Sequence, residues 1–314
     1  MEAETVSAYE DFLCNLDGPI SATVLFDKAK ILGLSELLAK ATVDRLISEG
    51  KLFNLPKDTP LRDVGGRYVE LDNFKIYTHE PEFDQSISVE LLSGVKCEEA
   101  ELSWCSGFLF PGATVLDIGA NIGWHSLHYS RIVGPGGRVI SFEPEPRNFE
   151  LLCKNLLING CNNASAFKAV VMHEARPNVT LYLNPRNQGD HRIWAYGNSG
   201  CKSVECYSLV LDEMFPDVKI DLIKIDVQGA ELLVLHGAKN LIQGQDRVAL
   251  LVEFWPTGLE VLGGSKEAFE NMLDYLGFRE VYSVKEGNLI SVKKRLSALV
   301  KDYSFDFVNL ICVR

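Results

Sequence analysis

No stretch of the 314-residue sequence is apolar over the roughly 20 residues that a helix needs to cross a bilayer. Nor does the chain open with a basic segment followed by the apolar run of an export signal. Met1 to Asp17 carries Glu2, Glu4, Glu10 and Asp11. These absences give the expectation of a soluble, cytoplasmic protein that has no membrane partner. Cysteine never occurs as Cys-x-x-Cys. Cys14, Cys97, Cys105, Cys153, Cys161, Cys201, Cys206 and Cys312 are scattered through apolar patterns, which argues against a zinc ribbon and for reduced thiols. Positive charge is scarce, with 31 Lys and Arg against 43 Asp and Glu. The resulting net charge of −12 opposes a polyanionic partner, so nucleic acid is not expected. There is no internal repeat and no low-complexity tract.

What is present is a chain with 46% hydrophobic residues, enough for an α/β core of roughly 200 residues plus a small appended domain. Residues 1–66 read as a helical accessory domain. Helices are expected over Thr5 to Asn15 and Ser21 to Ile31, with a third that Ser35 caps and Gly50 ends. Extended segments at Lys51 to Leu55 and Tyr68 to Leu71 make the arrangement winged-helix-like. Its first 65 residues hold 7 Lys/Arg against 11 Asp/Glu, which favours dimerisation or substrate gripping over DNA binding. A homodimer through this module is therefore expected. Residues 67–111 would connect it, as a hairpin and helix, to a main domain over 112–314.

From about residue 112 strands alternate with helices, the signature of a doubly wound α/β fold with a parallel sheet. Strands are expected at Thr114 to Ile118, Arg138 to Phe142, Ala164 to Val171, Asp221 to Asp226, Val248 to Phe254, Arg279 to Ser283 and Phe307 to Val313. Helices are expected at Gly123 to Val133, Arg147 to Ile158, Ala230 to Leu241 and Lys266 to Leu276. An insertion, Val179 to Leu209, contains two alternating runs around a polar and aromatic loop that carries His191, Arg192, Trp194 and Tyr196. Such a loop suits a lid over an acceptor, with His191 a candidate catalytic group.

The strongest motif is Asp117-Ile-Gly-Ala-Asn-Ile-Gly-Trp124, a buried strand turning into a helix. Glycines there let a ligand approach the backbone, and the crevice beyond the first strand is the usual ligand site of an open α/β sheet. A dinucleotide site would want Gly-x-Gly-x-x-Gly to cradle a pyrophosphate, which the acid at Asp117 would repel. That acid suits an ammonium instead, so the cofactor expected is S-adenosylmethionine. Glu143 lies 24 residues beyond Gly119, where a carboxylate can accept two ribose hydroxyls. Asp226 ends the fourth strand, Glu231 opens the next helix, and Glu253 ends the fifth strand. Each could serve catalysis, or cap, complement a helix dipole or sit as a satisfied buried acid. His125 and His128 read as packing or surface residues. Asp226 and Glu253 lack a third partner at a defined position, so no metal is expected.

At these motifs the chain resembles the FkbM family of methyltransferases. The resemblance rests on Asp117-Ile-Gly-Ala-Asn-Ile-Gly123, on Phe142-Glu-Pro-Glu-Pro146 with Asn155 and Asn159, and on Leu222-Ile-Lys-Ile-Asp-Val-Gln-Gly-Ala-Glu231 followed by Leu235-His-Gly-Ala238. It covers roughly residues 85 to 285. It implies the class I methyltransferase (Rossmann-like) fold and S-adenosyl-L-methionine as cofactor. By position it implies cofactor binding by Asp117, Gly119, Ala120, Asn121, Gly123, Trp124, Glu143, Pro144 and Val170. Asp226, Glu231 and Glu253 would line the reaction centre. It also implies an acid at the methionyl end from Cys97-Glu-Glu-Ala-Glu101, either Glu98 or Glu99, with Glu99 taken as the candidate. Gln228 stands where the family often has Glu. The function expected is O-methylation of a hydroxyl on a natural product or sugar, the partner being a small-molecule or peptide acceptor. The alternatives are N-methylation of a peptide side-chain amide and a non-catalytic cofactor-binding protein.

Overall fold

The computed structural model describes residues 66–195, 201–285, 288–291, 296 and 307–314. The helices expected within residues 1–65, the winged-helix arrangement and Tyr196 lie outside them. The described chain opens with a hairpin, β1 (Arg67–Leu71) and β2 (Phe74–Thr78), paired antiparallel. Its two-residue turn, Asp72-Asn73, has φ of 55° and 64°, the left-handed pair that matches strand twist. Helices α1 (Ile87–Leu92) and α2 (Glu99–Phe108) lead into the main sheet.

The sheet is laid down as β3 (Thr114–Ile118), α3 (Trp124–Val133), β4 (Arg138–Phe142), α4 (Pro146–Ile158) and β5 (Ala164–Phe167). After the insertion the chain continues through α5 (Leu211–Met214), β10 (Leu222–Ile225), α6 (Glu231–Gly237), α7 (Lys239–Gln243) and β11 (Ala249–Phe254). It then adds α8 (Pro256–Val261), α9 (Lys266–Tyr275), β12 (Glu280–Lys285), β13 (Asn288–Ser291) and β14 (Val308–Val313). The strand order is β13-β12-β14-β11-β10-β3-β4-β5, with β14 antiparallel to both of its inner neighbours. The chain runs outward from β3 to β5 and then returns to the other side of β3. The crevice between β3 and β10 is therefore the topological switch point where open sheets bind ligands.

Two expectations are corrected. Ala164 to Val171 is not one strand: β5 stops at Phe167, and β6 (Val170–Val171) leaves the sheet to pair in parallel with β9 (Ser208–Leu209). Both halves are apolar, so composition could not show that the sheet ends between them. Ala230 to Leu241 is two helices. Gly237 packs so tightly on the Met172 carbonyl that a Cβ would lie 2.3 Å from it, and the chain re-aims at Ala238. The two alternating runs of the insertion form an antiparallel pair, β7 (Val179–Tyr182) and β8 (Ser203–Cys206), and the end of the second run is the β9 that pairs with β6.

Period-two alternation splits the core between the two faces of the sheet. Leu116, Ile118, Ile223, Ile225, Leu250, Val252 and Phe254 pack on one face, against α6 and α9. Val115, Val139, Leu222, Ala249 and Leu251 pack on the other, against α2, α3 and α4. On this second face the next position along each strand is polar: Asp117, Ser141, Lys224 and Glu253. Polar groups thus replace the core where the strands reach the crevice.

Helix α4 starts with Glu145 accepting the Asn148 N–H at 2.6 Å and with Pro146 in its first turn. It also covers the outer edge of β2. Asn155 Oδ1 accepts the Tyr77 N–H at 2.7 Å while its Nδ2 donates to the Tyr77 carbonyl at 2.9 Å. Asn159 does the same for Lys75, at 2.9 and 2.7 Å. Residues four apart on a helix and two apart on a strand are each separated by about 6–7 Å, so the two amides stand in for a missing strand. Asn155 also donates to the Ile122 carbonyl at 2.8 Å, tying the hairpin to the turn after β3. Asn155→Leu, which strands three backbone groups, is expected to cost about 2–4 kcal/mol in urea denaturation and to speed amide exchange at Tyr77. An unchanged urea midpoint would contradict the bracing role.

Candidate active site

A cleft of about 530 Å³ opens at the carboxyl ends of β3, β4, β10 and β11, with the insertion loop over it. Gly119 turns the chain out of β3 with φ of 79°. A Cβ there would lie 1.8 Å from the Asp226 carbonyl oxygen, so no side chain fits between the ends of β3 and β10. The N–H groups of Gly119 and Ala120 both donate to the Phe142 carbonyl at 2.9 Å, which joins the turn to the end of β4.

Glu143 follows β4 and lines the cleft. Its carboxylate accepts the N–H groups of Asn121 and Glu145, both at 2.9 Å, and burial pushes its pKa up to about 8 against the opposing pull of those bonds. Asn121 Oδ1 is buried with no hydrogen-bond partner, an acceptor free for a donor in the cleft. Pro144 and Val170 line the same space.

Lys224, which sequence reasoning passed over, is the only lysine or arginine among the buried described residues. Its Nζ lies 3.9 Å from Asp117 Oδ1, 3.4 Å from Asp226 Oδ2 and 3.5 Å from the Gly119 carbonyl. Burial pulls the ammonium pKa down, but Asp226, Asp117 and Glu98 outweigh it and hold it above the ordinary lysine value. The signal was a charge inside the apolar run Leu222-Ile-Lys-Ile225, in register with Asp117 on the neighbouring strand.

Several candidates sit differently from expectation. Asp117 does not line the cleft. It is fully buried on the β3 face that carries Val115, where Ser126 Oγ donates to its Oδ2 at 2.6 Å and bonds Ser141 Oγ at 2.8 Å. Burial raises its pKa, with Lys224 and Ser126 opposing. Gly123 faces Leu152 of α4, where a Cβ would lie 2.7 Å from Cδ1. Trp124 touches only a side recess, and its indole N–H donates to the Cys97 carbonyl at 2.9 Å. Glu231 turns away from the cleft to accept the N–H groups of Val227 and Gly229 at 3.1 and 3.0 Å. Glu99 points outward, its side chain 71% exposed, beside Lys96. Glu98 is the acid that enters the cleft, because a left-handed φ of 50° turns it inward at the start of α2. Burial, with Asp226, Glu101 and Asp117 around it and Lys224 opposing, pushes its pKa up to about 8. His125, with Nε2 3.2 Å from Glu98 Oε2, is buried behind it.

Asp226 and Glu253 do come together. Gln228 Nε2 donates to Asp226 Oδ1 at 2.8 Å and to Glu253 Oε2 at 3.2 Å. Burial, then repulsion from Asp226, Glu231 and Glu98, holds Glu253 well above the usual carboxylate range. His191 lines the lid side of the cleft. Its Nδ1 accepts the Asn184 N–H at 3.1 Å, and burial pulls its pKa down to about 4, leaving it neutral. The lid is tied down by Asn148 Nδ2 donating to the Gln188 carbonyl at 2.8 Å and by Gln188 Nε2 donating to the Phe83 carbonyl at 2.9 Å. Arg192 is held by Asp190 at 2.6 Å and stacks on Trp194 and Trp255. Among the described residues no three His, Cys, Asp or Glu side chains are grouped to hold a metal ion. No described helix is long and apolar enough to cross a membrane.

This strand order, with a glycine turn at the switch point and an acid after the second sheet strand, defines an S-adenosylmethionine-dependent methyltransferase of the class I fold. The chain belongs to the family described as the methyltransferase FkbM domain, whose model matches residues 117–284. It is 29% identical over 203 residues to methyltransferase sdnD of Sordaria araneosa, covering 52% of this chain and 73% of that protein. It is also 29% identical over 133 residues to the hexuronic acid methyltransferase AglP of Haloferax volcanii, covering 40% of this chain and 50% of that protein. Among solved structures, an S-adenosylmethionine-dependent methyltransferase from Aquifex aeolicus aligns with a TM-score of 0.39 at 14% identity, over 68% of this chain and 89% of that one. The cleft fits the cofactor: the bare Gly119 backbone leaves room for close approach, Asn121 Oδ1 lacks a donor, and Glu98 and Glu143 offer carboxylates to an ammonium and to hydroxyls.

Lys224→Met is expected to destabilise the protein by about 3–5 kcal/mol in urea denaturation, because it leaves the Asp117 charge buried without a cation. The double variant Asp117→Asn/Lys224→Met should recover most of that loss. Purely additive losses would show that the two residues do not act as a pair.

Proposed function

We propose that this enzyme O-methylates a hydroxyl of a natural product or sugar, with Asp226 as the base that takes the hydroxyl proton. The observation that carries this reading is the state of the acids around the reaction end of the cleft. Asp226 lines the cleft with its side chain 30% exposed, the Lys224 ammonium on Oδ2 and the Gln228 amide on Oδ1, whereas Glu253 is almost fully buried and burial holds its pKa up. Asp226 is thus placed as the acceptor of a proton, and its two donors stabilise its charge. The sugar acid named for the Haloferax volcanii relative supports a hydroxylated acceptor.

In this reading Glu143 accepts the ribose hydroxyls, and Gly119, Ala120 and Asn121 present backbone and amide groups to the cofactor. Pro144 and Val170 flank the purine, and Glu98 meets the methionyl ammonium. Asp117, Gly123, Trp124 and Glu231 act one step behind, holding the segments that carry these groups. S-adenosylmethionine, when bound, supplies a methyl group already activated for transfer. The protein's task is then to align and desolvate the acceptor oxygen at roughly 3–3.5 Å and to take its proton. The lid over Gln188 and His191 keeps water out of the same space.

Two measurements test this. The Glu98 pKa is pushed up to about 8 in the free enzyme, and an ammonium beside it favours the carboxylate and lowers that pKa, so S-adenosylhomocysteine should release protons on binding at pH 7. Calorimetry in phosphate and Tris should give heats that differ accordingly, while 5′-methylthioadenosine, which has no ammonium, should show no such difference. Equal heats for S-adenosylhomocysteine in the two buffers would remove Glu98 from the ammonium site. Asp226→Asn should lower turnover by about 10²-fold or more, followed as S-adenosylhomocysteine formed with a panel of glycosides and phenols, and leave cofactor affinity within a few-fold. Undiminished turnover would exclude Asp226 as the base.

A further inference from the structure

Five non-glycine residues among those described have a positive φ, and three of them are Asp72, Asn73 and Asn121, residue types that tolerate it. The other two, Glu98 at 50° and Gln228 at 55°, both line the cleft. A glutamine in this region is strained unless its surroundings hold it there, and here they do. Glu231 accepts the N–H groups on either side of Gln228, from Val227 and Gly229. Gly229, itself at φ 101°, packs against Gly258, and the Trp194 indole N–H reaches the Gln228 carbonyl at 3.4 Å. The turn after β10 is braced so that one side chain projects from its apex.

That side chain joins acids delivered by two different strands, Asp226 after β10 and Glu253 at the end of β11. We propose that Gln228 is a positioning residue: its amide ties Asp226 to Glu253 and fixes the Asp226 carboxylate in the orientation that faces the acceptor. The proposal rests on the reading of Asp226 as the base. Without the amide, Asp226 Oδ1 loses its donor and only Lys224, on Oδ2, still holds the group, so the carboxylate can swing toward the lysine. A glutamate at 228 would instead set a third carboxylate against two others. The titratable groups facing Glu253 are Asp226, Glu231, Glu98 and Lys224, whereas Gln228 is an uncharged amide that donates to its carboxyl.

The variant that isolates this role is Gln228→Gly. Glycine adopts the left-handed φ freely, so the turn and the fold are retained while the amide is removed. Carboxyl ¹³C titration of the whole protein, saturated with S-adenosylhomocysteine, reads Glu253, whose signal is identified by its loss in Glu253→Gln. In Gln228→Gly its midpoint should move by about half a pH unit or more, because loss of a donor to its oxygen raises it and the turning away of Asp226 lowers it. The crystal structure of the same complex should show Asp226 rotated onto Lys224, with S-adenosylhomocysteine affinity within about twofold of wild type. Gln228→Glu, which adds a carboxylate beside Glu253, should raise the Glu253 midpoint. An unmoved Glu253 midpoint with Asp226 in its original orientation in folded, ligand-binding Gln228→Gly would overturn the proposal. That outcome leaves the base role of Asp226 standing, since it is decided separately by the turnover of Asp226→Asn.

Discussion

The site depends on one buried cation. Lys224 lies at the point where three strands end, and around it the chain gathers more carboxylates than it could bury unaided: Asp117 beneath, Asp226 in front and Glu98 across the cleft. Taking a lysine and an aspartate out of water costs several kcal/mol each. Ser126 bonds Asp117 Oδ2, the Gly119 carbonyl and Asp226 bond the ammonium, and Asp117 Oδ1 is left with the lysine charge 3.9 Å away and no hydrogen bond. The arrangement sorts the acids by role. Asp117 is paired with the lysine and does not line the cleft, whereas Asp226 shares the same ammonium and does. Glu98 and Glu253, less well compensated, have their pKa values pushed up.

Much of this was legible in the sequence because sheets impose a period of two. Once Thr114 to Ile118 and Asp221 to Asp226 are read as buried strands, the glycine turn after the first and the acid after the second follow. The crevice between them follows too. The same periodicity held the evidence against Asp117 as a ligand contact. It shares a face with Val115 and lies opposite Lys224, so it belongs to the core side of the turn. Asp117 was read as a lone acid and Lys224 not at all, since neither is interpretable before the strands are set side by side.

What the sequence hid was mostly long-range. Glu98 and Glu99 are adjacent, and nothing local says which one a left-handed residue turns inward. The break between β5 and β6 depends on where the sheet ends, and the break at Ala238 on how closely Gly237 meets Met172. Asn155 and Asn159 show the opposite case. They were visible as part of a motif, but their purpose is intelligible only with β2 in place, where two side-chain amides complete the edge of a hairpin. The segment after that hairpin, which contributes Ser86 and Ile87 to the cleft lining, is linked to the insertion loop through Phe83 and Gln188.

The most direct test of this account is a crystal structure of the protein with S-adenosylhomocysteine. The account predicts the homocysteine ammonium on Glu98 and the ribose hydroxyls on Glu143. It also predicts the sulfur facing Asp226, with Asp117 and Lys224 paired beneath the ligand and touching none of it. A ligand that contacts Asp117 directly, or that turns its sulfur away from Asp226, would contradict it.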